Sequence, residues 1–400
     1  MSTAVATAEA TRAPSARLVG WTGVALGVVA WYIALPPILL RTPAPSLVVA
    51  AAAAGAGAWT VRAGERRLGW GAVAAGVIGA LGAVVATQSG AGNLKEVVVW
   101  SALGAAMMRF ATPLVFGALG GIVSERSGVI NIGLEGMMLT GAFFGIFGAD
   151  LTGSWLPGLL IGMAAGGLLA LVHAVFSITL RADQIVSGTA INFLALGITG
   201  YVFVDHYGDQ GTPDDISRVP DVTLPLVKDI GFIGGAIGQM NLLTWLALLG
   251  VVVLAVFLFR TPGGLRVRAI GESPRAAATV GLSVLRTRYL AVVASGMLAA
   301  MGGAYLSIGF LGSFNQNMTA GRGFIALAAV IFGKWRPAGA LAAALLFGFS
   351  SALAQRLPAF SESLATLFQA LPYVLTLIAV AGVVGRSRAP AAIGQPYVKE

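Results

Sequence analysis

The chain has 400 residues, of which 57% are hydrophobic and only 10% are charged, and its formal net charge is +9 at pH 7. Soluble domains carry about 25% charged residues, so this composition excludes an ordinary soluble domain and indicates a membrane protein with many spans. The chain has no cysteine, which excludes disulfides, thiolate metal sites and cysteine catalysis. The basic residues lie in short loops beside apolar runs, as the positive-inside rule expects, and so give no support for nucleic-acid binding.

Long apolar runs follow one another along most of the chain. A helix needs about 20 apolar residues to cross a bilayer, so the pattern predicts an all-α, polytopic transmembrane helical bundle with about 10–12 membrane segments. The run 324–333 is too short to cross comfortably and predicts a half-helix. The predicted segments, in chain order, are 20–40, 44–61, 68–87, 97–123, 132–149, 156–180, 184–204, 241–260, 288–311, 324–333, 337–354 and 371–385.

The chain is predicted to have three parts. Residues 1–95 form an N-terminal extension with about three transmembrane helices, residues 96–388 form the core, and residues 389–400 form a cytoplasmic tail. Within the core, the long connection 205–240 is rich in Asp, whereas the connection 260–288 is the most basic loop. The positive-inside rule then places 205–240 outside the cell, and places 260–288 and both termini in the cytoplasm.

Arg109 interrupts the apolar segment 97–123. We favour an interfacial helix over 97–108, with the span itself beginning near Phe110, because Pro113 suits the first turn of a helix. The alternative is that Arg109 faces protein or water within the membrane region.

The stretch from Thr112 to Gly145 contains the most informative polar residues. An apolar run ends in Ser124-Glu125-Arg126, and Asn131 and Glu135 open the next run. A buried Asn or Glu is costly in lipid, so these groups are functional-site candidates. Asn131 is equally suited to cap a helix, and Glu135 could pair with Arg126 or position a helix.

A weaker form of this pattern recurs near the C-terminus. The run 324–333 is followed by Lys334-Trp335-Arg336 and then by small residues from Pro337 onward. Many transporters are built from two related halves with broken helices at the substrate path. The repeated pattern therefore suggests that a second helix is interrupted near residues 334–336.

The basic connection 260–288 contains the signals of a short helix. Ser273 is a good N-cap, Pro274 suits the first helical position, and Gly281 is placed to stop the helix. The sequence therefore predicts a short alanine-rich helix on the cytoplasmic surface between two spans. The alternative is an ordinary positive-inside loop with a frayed helix.

Catalytic and metal-binding patterns do not occur in the sequence. It contains no G-x-x-x-x-G-K-[ST] phosphate loop, no His, Asp and Glu cluster with metal-ligand spacing, and no G-x-S-x-G elbow. His173 lies in an apolar run, where we expect a satisfied or lumen-facing histidine rather than a metal ligand. The chain is therefore not predicted to be an enzyme, and a nucleotide that drives transport must bind another chain.

Four segments, in this order, resemble one family. They are TPLVFGALGGIVSERSGVINIGLEGMMLTGAF, DQIVSGTAINFLALGITGYVF, RTPGGLRVRAIGESPRAAATVGLSVLRTRYLAVVASGMLAAMGGAYL and GRGFIALAAVIFGKWRPAGALAAALLFG. Together they resemble the permease subunits of ABC importers in the branched-chain amino acid, ribose and simple-sugar group, and they are most similar to the nucleoside-type permeases. The resemblance does not extend to the N-terminal extension, whose role it leaves open.

The resemblance implies a BtuC-like, type II importer permease architecture in the bacterial plasma membrane. It also implies a second homologous permease in a heterodimer, an ABC ATPase subunit that holds ATP and Mg²⁺, and an extracytoplasmic substrate-binding protein, with no cofactor in this chain and no nucleic acid. The short helix near 273–281 would sit in a cleft of the ATPase. The positions carried over for this coupling contact are Arg268, Gly271, Glu272, Ala276, Ala277 and Gly281.

A nucleoside is neutral and polar and carries a flat ring, so its path should offer amides and hydroxyls rather than a strong net charge. The predicted pathway residues are Asn131, Glu135, Gln184, Ser187 and Asn192, of which at most a subset is expected to line one path because Gln184, Ser187 and Asn192 do not share one helical face. One alternative is the same machinery importing a simple sugar, a purine base or a branched-chain amino acid. Another is an ion-coupled secondary transporter, for which Glu135 would be the functional carboxylate.

Overall fold

The computed structural model describes residues 15–33, 42–88, 99–356, 370 and 389–398. Nine of the described helices are long and apolar enough to cross a membrane, which confirms the predicted all-α polytopic bundle. The predicted segment 371–385 lies outside the described residues, as do residues 34–40 of the first predicted segment.

The described residues form two compact units. The first contains three helices, α1 (Ala16–Tyr32), α2 (Ala44–Arg62) and α3 (Arg66–Gln88). They approach closely through small residues, since a Cβ on Gly27 would lie only 2.5 Å from the backbone of Ala75. Small residues permit this approach between helices that share a lipid environment.

The second unit contains residues 100–352 and the described tail. Its helices are α4 (Trp100–Arg126), α5 (Leu134–Thr152), α6 (Trp155–Ala174), α7 (Gln184–Tyr207), α8 (Pro225–Lys228), α9 (Gly231–Ile237), α10 (Leu242–Arg260), α11 (Pro262–Glu272), α12 (Pro274–Thr279), α13 (Val284–Ala304), α14 (Arg322–Phe332) and α15 (Pro337–Ala354). α6 and α13 continue as π-helical stretches, at Val175–Thr179 and Tyr305–Leu311. Two short strands, β1 (Asp221–Thr223) and β2 (Gln239–Asn241), pair antiparallel with Val222 opposite Met240.

α4 is one continuous helix of 27 residues, with Pro113 in its interior. Arg109 is exposed and lines a cavity, so its charge remains hydrated and does not force the helix to end. The predicted interfacial helix over 97–108, with a span beginning near Phe110, is therefore wrong. The alternative, in which Arg109 faces protein or water, fits its place in the lining of the cavity.

Glycines and alanines pack the middle of the second unit. A Cβ on Gly141 of α5 would lie 2.3 Å from the backbone of Ala300 in α13, and a Cβ on Gly166 of α6 would lie 2.4 Å from the Cβ of the same alanine. A Cβ on Gly117 of α4 would lie 2.8 Å from the Cβ of Ala326 in α14. Such contacts hold helices together by close packing where lipid offers no hydrophobic driving force.

α14 is a half-helix, as the sequence predicts. Its 11 residues span about 16 Å at 1.5 Å per residue, roughly half of a hydrocarbon core about 30 Å thick. It starts after Gly321, whose φ of 83° is left-handed, and Gly323 in its first turn is buried. The N-terminus of α14 therefore lies inside the protein.

Candidate functional site

The two polar clusters that follow apolar runs in the sequence, at 124–126 and at 334–336, contact each other. The Arg126 guanidinium donates from Nε and Nη2 to the carbonyl oxygen of Trp335, at 3.1 and 2.9 Å. The Trp335 indole donates in turn to the Glu125 carboxylate, and both of these side chains are buried. The end of α4 and the loop after α14 are thereby joined.

Residues 127–133, which we call the broken segment, run from the end of α4 to the start of α5 without helical structure. Side chains of neighbouring helices satisfy its backbone. The Ile130 N–H donates to Gln184 Oε1 at 2.7 Å, and the Ile130 carbonyl lies 3.0 Å from His173 Nε2. Irregular backbone persists at membrane depth only where protein or water satisfies it, so these polar side chains hold the break open.

Asn192 of α7 holds the next part of the chain. Its amide donates to the carbonyl of Ile132 at 3.1 Å and accepts from the Gly136 N–H at 2.8 Å. Asn131 points to the other side, where its Nδ2 donates to Ser295 Oγ of α13 at 3.0 Å. The broken segment is therefore tied to both α7 and α13.

Glu135 caps the half-helix. Its Oε1 accepts from the Gly321 N–H at 2.8 Å and its Oε2 accepts from the Gly323 N–H at 2.6 Å, while only 8% of the residue is exposed. A carboxylate at a helix N-terminus is stabilised by the free amides and by the helix dipole. The considered pair between Glu135 and Arg126 does not form, because Arg126 binds Trp335 instead.

The structure gathers all the predicted pathway residues around the broken segment. Each has a hydrogen-bond partner in the protein, and Ser187 has the buried His173, whose Nδ1 lies 3.0 Å away. His173 is therefore a satisfied histidine, as expected. Solute contact stays a prediction for this set, which consists of Asn131, Glu135, Gln184, Ser187 and Asn192.

A cavity of about 620 Å³ lies beside the β1–β2 hairpin. We call it the outer cavity, since its wall includes part of the predicted outer connection 205–240. Its polar lining includes Arg109, Asp221 and Gln239, and glycine-rich α9 forms another wall. Among the residues that the structure describes, no group of three or more His, Asp or Glu could hold a metal ion.

Two aromatic rings stand at the outer cavity. Tyr305 and Phe310 have parallel rings, inclined by 5° with centroids 6.3 Å apart. Tyr305 is buried, while Phe310 is 38% exposed, so the Phe310 ring is the accessible one of the pair. Both rings lie on the π-helical end of α13, and π-helical turns are frequent at functional sites. Sequence reasoning missed this cavity, for which an arginine within an apolar segment, Arg109, was the available signal.

Residues 261–283, which we call the coupling segment, form two short helices. α12 begins at Pro274 with Ser273 as its N-cap, whose Oγ accepts from the Ala276 N–H at 3.4 Å. Gly281 follows the helix with a φ of 82°. The predicted short helix is confirmed, whereas α11 was missed.

The predicted coupling residues divide by exposure. Gly271 and Ala277 are buried, while Glu272, Ala276 and Gly281 are exposed. Arg268 is half-buried, with its guanidinium 5.2 Å from the centre of the Phe259 ring. The coupling segment thus has an inner side fixed to the unit and an outer side, to which Val280 adds an apolar side chain that is 75% exposed.

The family described as branched-chain amino acid transport system, permease component, matches residues 103–380. The guanosine ABC transporter permease protein NupQ of Bacillus subtilis (strain 168) is 42% identical over 305 residues, covering 74% of this chain and 95% of NupQ. The nucleoside ABC transporter permease protein NupC of Lactococcus lactis subsp. cremoris (strain MG1363) is 39% identical over 317 residues, covering 77% of this chain and 98% of NupC. The putative glucose ABC transporter permease protein TsgC13 of Haloferax volcanii is 39% identical over 263 residues, covering 65% of this chain and 78% of TsgC13.

No solved structure matches the chain, and the expected type II importer architecture stays a prediction. Helices α1 to α3 precede the part of the chain that the family matches.

Proposed function

The chain belongs to the branched-chain amino acid transport permease family, and from this premise we propose that it forms the membrane path of an ATP-driven importer of nucleosides. The observation that carries the proposal is the identity of 42% to a guanosine permease and 39% to a nucleoside permease, each matched over nearly its whole length. On this proposal an ABC ATPase, a second homologous permease and an extracytoplasmic binding protein complete the importer, and ATP and Mg²⁺ bind to the ATPase.

The outer cavity and the coupling segment lie at opposite ends of α10. Thr244, in the first turn of α10, lines the cavity, and Arg260 at its other end leads into the coupling segment. A helix of 19 residues is about 28 Å long, which is close to the thickness of a hydrocarbon core. This separation suits a permease that receives solute on one side and meets its ATPase on the other. We place the coupling segment and both termini in the cytoplasm.

The chemistry of the outer cavity suits a neutral solute with a flat ring. Phe310 offers an accessible ring, Gln239 offers an amide, and Arg109, Lys228 and Asp221 offer two charged donors and one acceptor. Its volume of about 620 Å³ lies within the range of about 300–1,000 Å³ of small-molecule sites. We therefore assign the outer cavity as the place where the nucleoside enters the permease.

A simple sugar is the second candidate solute, because TsgC13 is as similar in identity as NupC. Uptake of labelled guanosine, adenosine, ribose, glucose, a free purine base and leucine, in cells with and without this gene, separates the candidates. Loss of nucleoside uptake alone supports the proposal. Unchanged nucleoside uptake with loss of sugar uptake contradicts the proposed solute but not the family.

A point variant tests the cavity in the same assay. We expect Phe310→Ala to raise the KM for nucleoside about tenfold, since stacking of one base on an aromatic ring contributes about 1–3 kcal/mol. Phe324→Ala is the matched control, because Phe324 is also exposed, at 49%, and does not line the cavity. An unchanged KM in Phe310→Ala would remove the outer cavity from the proposal.

Docking of the ATPase is tested on the exposed side of α12. Ala276→Arg places a long charged side chain on this surface without disturbing the buried side, and should abolish ATPase binding and uptake. Glu272→Arg and a bulky residue at Gly281 should do the same, although Glu272 also contacts the tail and Gly281 has a left-handed backbone. Normal uptake in Ala276→Arg would contradict the coupling role of α12.

A further inference from the structure

Residues 389–398, which we call the tail segment, lie across the end of the second unit that carries the coupling segment. The Ala392 N–H donates to the Gly271 carbonyl at 2.9 Å, and the Gly394 N–H donates to the Gly128 carbonyl at 3.0 Å. Ala392 is buried. The tail segment therefore bridges the end of α11 and the start of the broken segment by backbone hydrogen bonds.

The side chain of Arg288, on α13, hydrogen-bonds to both the broken segment and the tail segment. It is only 1% exposed, and its guanidinium donates from Nε to the Ser127 carbonyl at 3.2 Å and from Nη1 to the Gln395 carbonyl at 2.9 Å. A buried cation is costly unless hydrogen bonds compensate it. The tail segment supplies one of these acceptors and the broken segment supplies the other, so Arg288 stabilises both together.

The far end of the tail segment supports α12. Tyr397 packs against a buried apolar cluster of Ile270, Ala277 and Val284, which joins α11, α12 and α13. The Ala391 N–H contacts the Glu272 carboxylate at 3.3 Å. The tail thus contacts the end of α11 and the apolar cluster on which α12 is seated.

We propose that the tail segment is a strap that fixes α12 to the broken segment, so that the ATPase moves both when it docks. α12 has only six residues, and a helix of this length does not hold its shape in water without tertiary contacts. Tyr397 is a positioning residue, since it supports α12 from the buried side while the ATPase contacts the exposed side. The ATPase contact rests on the proposed function, whereas the strap itself rests on the contacts of the tail.

The test uses the full chain assembled with its partner permease in sealed proteoliposomes, and measures the affinity of the ATPase and the solute transported per ATP hydrolysed. We expect Tyr397→Ala to weaken ATPase binding about tenfold, a loss typical of removing an aromatic anchor, and to lower the transport ratio. Tyr397→Phe keeps the ring and should restore both. Val398→Ala is the matched control, since Val398 is 47% exposed in the same segment.

A second measurement separates the strap from a general loss of folding. The chain has no cysteine, so Leu265→Cys and Val398→Cys, both at exposed positions, can carry a pair of spin labels without other changes. We expect one narrow distance distribution that is the same with and without ATP, and that broadens in Tyr397→Ala. A broad distribution in the otherwise unchanged chain, or a folded Tyr397→Ala variant that binds ATPase and transports normally, would overturn the strap. If no ATPase binds the unchanged chain, the proposed function fails, and the label distance still tests the strap.

Discussion

Glu135→Gln distinguishes a structural cap from a functional carboxylate. Glu135 uses a different oxygen for each of two backbone N–H groups, at 2.8 and 2.6 Å. Glutamine has one acceptor oxygen, so its NH₂ group would face one of these donors and leave it unpaired in a buried place. The loss of a charge-assisted hydrogen bond, together with a weaker interaction with the helix dipole, should destabilise the protein by about 2–4 kcal/mol.

Asp183→Asn is the matched control for this cap. Asp183 also caps a helix, but its Oδ1 alone accepts from both Ile185 N–H at 2.8 Å and Val186 N–H at 3.0 Å. Asparagine retains that oxygen, and the residue is exposed. We expect a change of less than about 0.5 kcal/mol, since Asn and Asp are about equal as N-caps.

Thermal unfolding in detergent and nucleoside uptake are measured on both variants. Glu135→Gln should lower Tm by roughly 3–8 °C, while correctly folded molecules keep part of their uptake and its dependence on ATP. An unchanged Tm with complete loss of uptake would refute the cap, because it would make Glu135 a group that binds solute or a coupling ion. Uptake in the unchanged chain that depends on an ion gradient and not on ATP would then favour the ion-coupled alternative.

Two further predictions concern the packing of the second unit. Trp335→Phe removes the donor to the buried Glu125. It should lower the free energy of unfolding by about 2–3 kcal/mol more than Trp245→Phe does, since Trp245 Nε1 has no partner among the described residues. Equal losses of stability, measured by chemical denaturation, would contradict this prediction. Gly303→Ala would place a Cβ 1.7 Å from the Met138 carbonyl oxygen and should lower stability by about 2 kcal/mol or more, whereas Gly197→Ala meets nothing within 4 Å and should be neutral or stabilising by up to about 1 kcal/mol, with Tm as the measurement.

Capping residues and prolines in the sequence predicted one of the two short helices of the coupling segment. The N-cap Ser273 and the following Pro274 were sufficient to predict α12. Thr261 and Pro262 give the same signals for α11, where the Gly264 N–H donates to Thr261 Oγ1 at 3.1 Å. α11 was nevertheless missed, because Gly263 and its neighbouring glycine lower the helix propensity of its first turn.

The predicted polar residues lie around the broken segment, but their hydrogen-bond partners could not be predicted. Glu135 meets amides that are 186 and 188 residues away in the chain, and no local pattern indicates such a contact. The outer cavity is likewise assembled from α4, the β1–β2 hairpin and the end of α13. The start of the span was predicted wrongly near Phe110 because, from the sequence alone, a longer span would place the charge of Arg109 in lipid. The cavity beside Arg109 is seen only in the structure.

The buried ionisable side chains weigh against an ion-coupled mechanism. Coupling to protons or sodium needs a carboxylate that is free to change its proton or ion along the path. Among the described residues, the buried carboxylates are Glu125 and Glu135, and each is occupied by donors from the protein, an indole in one case and two backbone amides in the other. The buried Arg288 is likewise bound to backbone carbonyls. These charges hold the broken segment, the half-helix and the tail in place, which agrees with the proposal that an ATPase docked on the coupling segment supplies the energy for transport.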